Sequence, residues 1–193
     1  MGKPVYTRQY PIPQKWSKKV TERIGEWKSN RWIERANPAC KWNSPLHEAA
    51  KISEGVRDEG DIRLCMDWRQ PNELNKGIEY AMPTVDDIRE AMRGAKRISS
   101  FDIESAFMHV ELEESVRDAT TFTDPTTGEK WRWTVMFFGD KGASQFFQMC
   151  IDTTLGKCVV ARRKNKGYVD NIYIFTTEET PREHGKIAAE VID

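Results

Sequence analysis

No apolar run in this chain approaches the roughly 20 residues that a bilayer-spanning helix needs, and the polar, proline-containing N-terminus lacks a signal-peptide core. Tyr6 stands where N-myristoylation would want Ser or Thr. The expected compartment is therefore the cytoplasm or the nucleus, with no membrane partner. Cys40, Cys65, Cys150 and Cys158 form no Cys-x-x-Cys pair and have no histidine at zinc-finger spacing, so reduced, mostly buried thiols are expected. His47, His109 and His184 lie beside no nucleophile signature and read as ordinary surface or interface residues. A glycine-rich phosphate loop, a dinucleotide fingerprint, internal repeats and low-complexity segments are also missing.

Net charge is absent too, but its balance hides an asymmetry. Thirty basic and thirty acidic residues cancel over 193 positions, yet residues 1–42 carry ten basic side chains against three acidic ones. A basic arm on an acidic body suits a polyanion at one end and cations at the other, with a plain solvated helix as the alternative. With 38% hydrophobic residues the chain can bury one substantial core or two smaller ones.

Helices and strands alternate irregularly. Trp16, Val20, Ile24 and Trp27 fall four, four and three apart, one face of a helix over about residues 14–29. Asn37-Pro38 and Ser44-Pro45 punctuate a loop, and residues 53–61 read as a long polar hairpin tip. Ile62 to Arg69 alternates as a strand that Pro71 closes. Thr84 followed by Asp87 predicts a capped helix start, with Val85, Ile88 and Met92 on its buried side and Gly94 as its stop.

A strand ending in Asp102 and a short helix over 104–109 should follow. Strands at 120–123 and 131–135 flank a turn at 124–128, with Trp131, Trp133 and Val135 sharing a face. A loop over 136–143 opens a helix through Phe147, Ile151 and Leu155 that stops at Gly156. Arg162, Arg163, Lys164 and Lys166 precede a second apolar run, and Thr180-Pro181 starts a last helix. The fold class is α+β around a mainly antiparallel sheet.

Two carboxylates mark the chemistry. Asp102 closes the short strand Arg97 to Asp102, and Asp170-Asn171 interrupts the β-prone run Gly167 to Phe175, where a two-residue hairpin tip is expected because Asp and Asn tolerate positive φ. Acids on adjacent strands can hold two Mg²⁺ roughly 3.5 to 4 Å apart for phosphoryl transfer. Such hard cations prefer oxygen donors to histidine or cysteine.

In this order the motifs resemble the fingers and palm of reverse transcriptases from gypsy-class long-terminal-repeat retrotransposons. The match runs through Tyr10-Pro11-Ile12-Pro13, Ser44-Pro45, Ile62 to Arg69 with Asn72 to Asn75, and Met82-Pro83 to Ile88. It continues through Phe101-Asp102-Ile103 with Ser105-Ala106-Phe107, Phe138-Gly139 with Phe147-Gln148, and Tyr168-Val169-Asp170-Asn171. The resemblance implies a right-hand polymerase fold without a thumb. Residues 1–9 would be an extension, 10–81 mainly fingers, and 82–193 mainly palm with fingers strands at about 118–136.

The resemblance also implies the activity, RNA-directed DNA polymerisation: a primer 3′-hydroxyl attacks the α-phosphate of a deoxynucleotide. Asp102, Asp170 and Asn171 would form the catalytic group. Two Mg²⁺, replaceable by Mn²⁺, would be held by Asp102, Asp170 and the carbonyl of Ile103. Arg63, with Lys51, would grip the triphosphate, Phe107 would exclude a 2′-hydroxyl, and Gly139 would admit close approach of primer and nucleotide. An RNA template, a DNA primer, deoxynucleotide triphosphates and a protein partner supplying missing subdomains are the implied partners.

The chain departs from the family at several positions. Asn171 replaces a second aspartate, at a cost of about a thousandfold in rate if roughly 4 kcal/mol of transition-state stabilisation is lost. The lysine-rich fingertip is replaced by Lys51-Ile52-Ser53-Glu54-Gly55, and the apolar strand after Ser44-Pro45 by Leu46-His47-Glu48-Ala49-Ala50. Asp140 stands for a leucine and Ser144 for a proline. A truncated or degenerate polymerase is the first reading. A non-catalytic nucleic-acid-binding or scaffold protein of the same descent is the alternative, and a different palm-fold enzyme, such as a cyclase or nuclease, the third.

Overall fold

A computed structural model describes residues 3–53, 56–157, 164–177 and 180–192. Its helices are α1 (Ser17–Ser29), α2 (Arg69–Leu74), α3 (Val85–Ala91), α4 (Glu114–Arg117), α5 (Ala143–Lys157) and α6 (Pro181–Ile192). The strands are β1 (Ile33–Arg35), β2 (Leu46–Ser53), β3 (Val56–Met66), β4 (Arg97–Asp102), β5 (Phe122–Thr123), β6 (Lys130–Trp133), β7 (Asn165–Tyr168) and β8 (Asn171–Thr176). These strands pair antiparallel throughout, so the class is α+β. The chain divides into two units, Met1–Lys76 with Phe107–Ala143 and Gly77–Ala106 with Ser144–Asp193.

The first unit is organised by α1. Its 3.6-residue period brings Val20, Ile24 and Trp27 to one buried face. That face meets the three-stranded sheet β1-β6-β5 and the hairpin β2-β3. Trp27 lies 4.7 Å from Trp133 and 6.0 Å, edge-on, from Phe122. Removing side chains of this size from water stabilises the unit by roughly 1.5–3 kcal/mol each. Trp133 and Val135 sit inside this core and Trp131 at its margin.

Several local expectations change here. The expected hairpin tip over 53–61 is mostly strand, since Ser53 pairs with Val56 and Lys51 with Asp58 across a register shift at Ala50/Lys51; residues 54–55 lie outside the described residues. Backbone pairing carries polar sequence as readily as apolar when one neighbour supplies the ladder. Leu46 to Ala50 is strand as well, pairing with Met66 to Ile62.

Strand β3 stops at Met66, and Pro71 lies in the first turn of α2 instead of closing a strand. Proline costs little there because first-turn N–H groups have no helical acceptor. Thr120 ends a tight turn over Asp118–Thr120 and Thr121 follows it with extended backbone ahead of β5, the hydroxyls of both bonding backward. Thr120 Oγ1 donates to the Arg117 carbonyl (2.7 Å) and Thr121 Oγ1 to that of Asp118 (2.8 Å).

The second unit is the sheet β4-β8-β7 with α3, α5 and α6. Where α5 crosses β7 there is no room for a side chain: a Cβ on Gly167 would lie 2.3 Å from Ile151 Cγ2. Helix α5 runs past Gly156 to Lys157. The expected cap on α3 forms in both directions, with the Asp87 N–H donating to Thr84 Oγ1 and the Thr84 N–H to Asp87 Oδ2. Its first apolar residue nonetheless faces solvent, Val85 being 55% exposed.

His184 is buried and not a surface residue, lying 2.9 Å from both Ser99 Oγ and Thr176 Oγ1 and tying α6 to β4 and β8. Cys40, Cys65 and Cys150 are free thiols, half-buried instead of buried. Cys158, Arg162 and Arg163 lie outside the described residues.

Candidate active site

Antiparallel pairing brings the two carboxylate-bearing segments together in the second unit. Asp102, last in β4, is the register partner of Asn171, first in β8. Beyond that rung the Ile103 N–H donates to the Asp170 carbonyl at 2.7 Å, so the ladder continues into the turn and holds Asp170 beside the end of β4. The Asp102 side chain is exposed, while Asp170 and Asn171 are half-buried.

The turn is not where composition puts it. Tyr168 pairs with Asn171, so Val169-Asp170 forms the two-residue tip and Asn171 belongs to the strand. Val169 takes the left-handed conformation, with φ 52°, an unusual state for a β-branched residue. The Asn171 amide turns its nitrogen to its neighbour, Nδ2 donating to Asp170 Oδ1 at 3.0 Å. One lone pair of that carboxylate is thereby occupied.

A glutamine outside the hairpin fixes this tip. Gln148 of α5 is wholly buried; its Oε1 accepts from the Val169 N–H at 2.8 Å and its Nε2 donates to the Gly167 carbonyl at 3.1 Å. Sequence reading assigned Gln148 no role, because nothing local links it to a turn twenty residues on.

In the first unit, Arg63 is an exposed residue of β3 paired with Ala49. Lys51 lies on β2, and its side chain is outside the described residues. Phe107 is buried at 8% exposure beneath Phe138, their rings 5.0 Å apart, while Phe138 itself is 61% exposed. Gly139 adopts φ 120°, and a Cβ there would lie 3.3 Å from the Met66 carbonyl. Asn72 braces that loop, donating to the Gly139 carbonyl at 2.7 Å and accepting from the Lys141 N–H at 3.0 Å. Phe138 and Asn72 were part of the family match in sequence but were given no role there.

Beside Gly139 and Asn72 a cleft of ≈ 460 Å³ is lined also by Asp67 and Arg69. Two guanidinium hydrogen bonds from Arg69, at 2.8 and 2.7 Å, hold the Asp67 carboxyl well below the usual carboxylate range. The Tyr10 hydroxyl also donates to it at 2.9 Å, which pushes the phenol up.

The donors that the paired segments offer, two carboxylates and backbone carbonyls, are oxygens, which suit a hard divalent cation. Among the described residues no group of three or more His, Cys, Asp or Glu could hold a metal ion. The fit is thus to a site with two carboxylates, Asn171 contributing no charge.

Residues 53–193 match the family model described as reverse transcriptase (RNA-dependent DNA polymerase). The chain belongs to the reverse transcriptase family. It is 32% identical over 145 residues to the retrovirus-related Pol polyprotein from transposon 412 of Drosophila melanogaster, covering 75% of this chain and 11% of that one. The Pol polyprotein from transposon gypsy of the same organism is 28% identical over 184 residues, 93% of this chain and 17% of that one. The enzymatic polyprotein of Cauliflower mosaic virus (strain NY8153) is 32% identical over 127 residues, 66% of this chain and 18% of that one.

The chain thus spans less than a fifth of these reverse transcriptase relatives. Among solved structures, the foamy viral protease-reverse transcriptase dRH in complex with double-stranded DNA superposes with a TM-score of 0.82 at 22% identity, covering 99% of this chain and 31% of that one. The fold is therefore the fingers and palm fold of a right-hand polymerase.

Proposed function

We propose that this reverse transcriptase chain carries the nucleotidyl-transfer centre of an RNA-directed DNA polymerase, extending a DNA primer on an RNA template with deoxynucleotide triphosphates. The observation that carries the reading is the ladder that brings Asp102 beside the Val169-Asp170 tip, with Ile103 bonded to the Asp170 carbonyl. Asp102, Asp170 and the Ile103 carbonyl would hold Mg²⁺, or Mn²⁺ in its place. Two such ions, when bound, supply activation of the primer 3′-hydroxyl and charge neutralisation at the leaving pyrophosphate.

The protein's own part is orientation. Asp102 and Asp170 direct negative charge to one end of β4 and β8, and Asn171 fixes the rotamer of Asp170 through its amide. Arg63, with Lys51, supplies the cation for the triphosphate, a guanidinium being suited to bidentate phosphate contact. Phe107, stiffened by Phe138, is the ring against which a 2′-hydroxyl would clash, and Gly139, having no side chain, would admit close approach of the primer end. Further subdomains would come from adjoining sequence or a protein partner.

Asn171 favours a second reading, a nucleic-acid-binding protein that has kept the fold and lost turnover, because an amide opposite Asp102 removes one charge from the site. Primer extension on an RNA template, in Mg²⁺ and then Mn²⁺, separates the two. Extension abolished by Asp102→Ala supports the polymerase. Salt-sensitive RNA binding without extension, in wild type and in Asn171→Asp, supports the binder and overturns the first reading.

A further inference from the structure

The left-handed backbone of Val169 needs a cause. Non-glycine residues are strained in this region and persist there only where their surroundings over-determine them; here the Val169 N–H is held by Gln148. Its side chain clips the chain on both sides of Tyr168, accepting from the Val169 N–H and donating to the Gly167 carbonyl. Asp170, the next residue, is the carboxylate of the proposed site. The direction of the amide is fixed from behind: Gln148 Nε2 also donates to Asp152 Oδ1 at 3.0 Å, one turn further along α5, and the Tyr80 hydroxyl donates to Asp152 Oδ2 at 2.7 Å. Reversing the amide would set its oxygen against a carboxylate and a carbonyl, leaving the Val169 N–H facing a donor.

Resting on the polymerase reading for its functional meaning, we propose that Gln148 is the positioning residue for Asp170, with Asp152 and Tyr80 setting its orientation. Gln148 touches no reacting atom in this role; it holds the turn that presents one. Substituting it releases the tip while leaving the β4–β8 ladder in place, and a residue without strain at 169 removes the need for it.

Gln148→Met keeps the volume and deletes all three side-chain hydrogen bonds of Gln148, those to Val169, Gly167 and Asp152. Amide hydrogen exchange on the full chain, followed by nuclear magnetic resonance, is expected to show Val169 exchanging about tenfold faster, as for loss of one net hydrogen bond. Ile172 and Ile174 in β8 should stay within about twofold, which a general loosening of the core would not allow. Tyr80→Phe, at the outer end of the relay, should speed Val169 by about threefold and decides the matter if Gln148→Met does not fold.

Mn²⁺ affinity read by electron paramagnetic resonance is expected to weaken about tenfold in Gln148→Met and to return to within about threefold of wild type in Gln148→Met with Val169→Gly. Unchanged Val169 exchange in a folded Gln148→Met chain, or in Tyr80→Phe where that chain does not fold, overturns the proposal, as does a double variant no better than the single one. If wild type binds no Mn²⁺ that Asp102→Asn removes, the polymerase reading fails, while the exchange data alone still decide whether Gln148 holds the turn.

Discussion

Asp102 faces Asn171, an amide and not an acid, across the last rung of the β4–β8 ladder. Two carboxylates directly opposite on a sheet repel, typically by a few tenths to about 1 kcal/mol. Asn171 avoids that repulsion and adds a hydrogen bond to Asp170. Asn171→Asp should therefore lower the melting temperature without divalent ions and raise it more than wild type when Mn²⁺ is added. Saturation at about a hundredfold over the dissociation constant would contribute roughly 2.7 kcal/mol. Thermal melts with and without Mn²⁺ check this; equal stabilisation of both proteins would mean that residue 171 lies outside any cation site.

Asp67 gives the chain a defined acid limit. Its folded-state carboxyl lies below the ordinary range, chiefly through the Arg69 hydrogen bonds, so its contribution is fully present above the unfolded value of about 3.9. It is lost as pH falls through the lower folded value. Arg69 is largely exposed, so solvent screening keeps the contribution to about 1 kcal/mol or less. The gap in stability between wild type and Asp67→Asn should stay constant from neutral pH to about pH 5 and close below about pH 3. A gap that widens on acidification would contradict the assignment.

The helices α1 and α3 predict opposite responses to truncation. Trp27 is 6% exposed between Phe122 and Trp133, and Trp27→Ala should cost about 3–5 kcal/mol in denaturant melts. Val85 is 55% exposed, so Val85→Ala should change stability by less than about 0.5 kcal/mol. Thr84→Ala, one residue earlier, should cost about 1 kcal/mol through loss of the cap. Equal effects at 84 and 85 would show that packing, not capping, starts α3.

That contrast shows what sequence could and could not convey. The stripe of α1 and the cap of α3 were legible because each is written in neighbouring residues. The exposure of Val85 was not, since a short apolar spacing does not say what stands opposite. Likewise Asp170-Asn171 looked like a turn tip by local tolerance of positive φ, but the ladder claims Asn171 for Asp102 and Tyr168, and the strain passes to Val169. Gln148 makes that strain affordable from another element, as His184 joins Ser99 to Thr176, and pairings so far apart leave no mark in one sequence. The carboxylates themselves were legible, being acids at the ends of apolar runs.

Gly167 is where the packing of α5 and the geometry of the tip meet. Its hydrogen faces Ile151, and an added Cβ would lie 2.3 Å from Cγ2 and 3.3 Å from Leu155 Cδ1. Because Cγ2 is attached directly to the branched carbon of isoleucine, it cannot swing aside without an unfavourable rotamer. Gly167→Ala should therefore push β7 from α5 at a cost of about 1–3 kcal/mol. The Gly167 carbonyl accepts from Gln148, so the same displacement should speed exchange at Val169. Ile151→Ala removes the obstructing methyl, and the double variant should be more stable than the sum of the single effects by about 1 kcal/mol or more. A double-mutant cycle with chemical denaturation measures the coupling. Strict additivity would mean that β7 accommodates the methyl by moving as a whole, and Val169 exchange in Gly167→Ala should then rise regardless of residue 151.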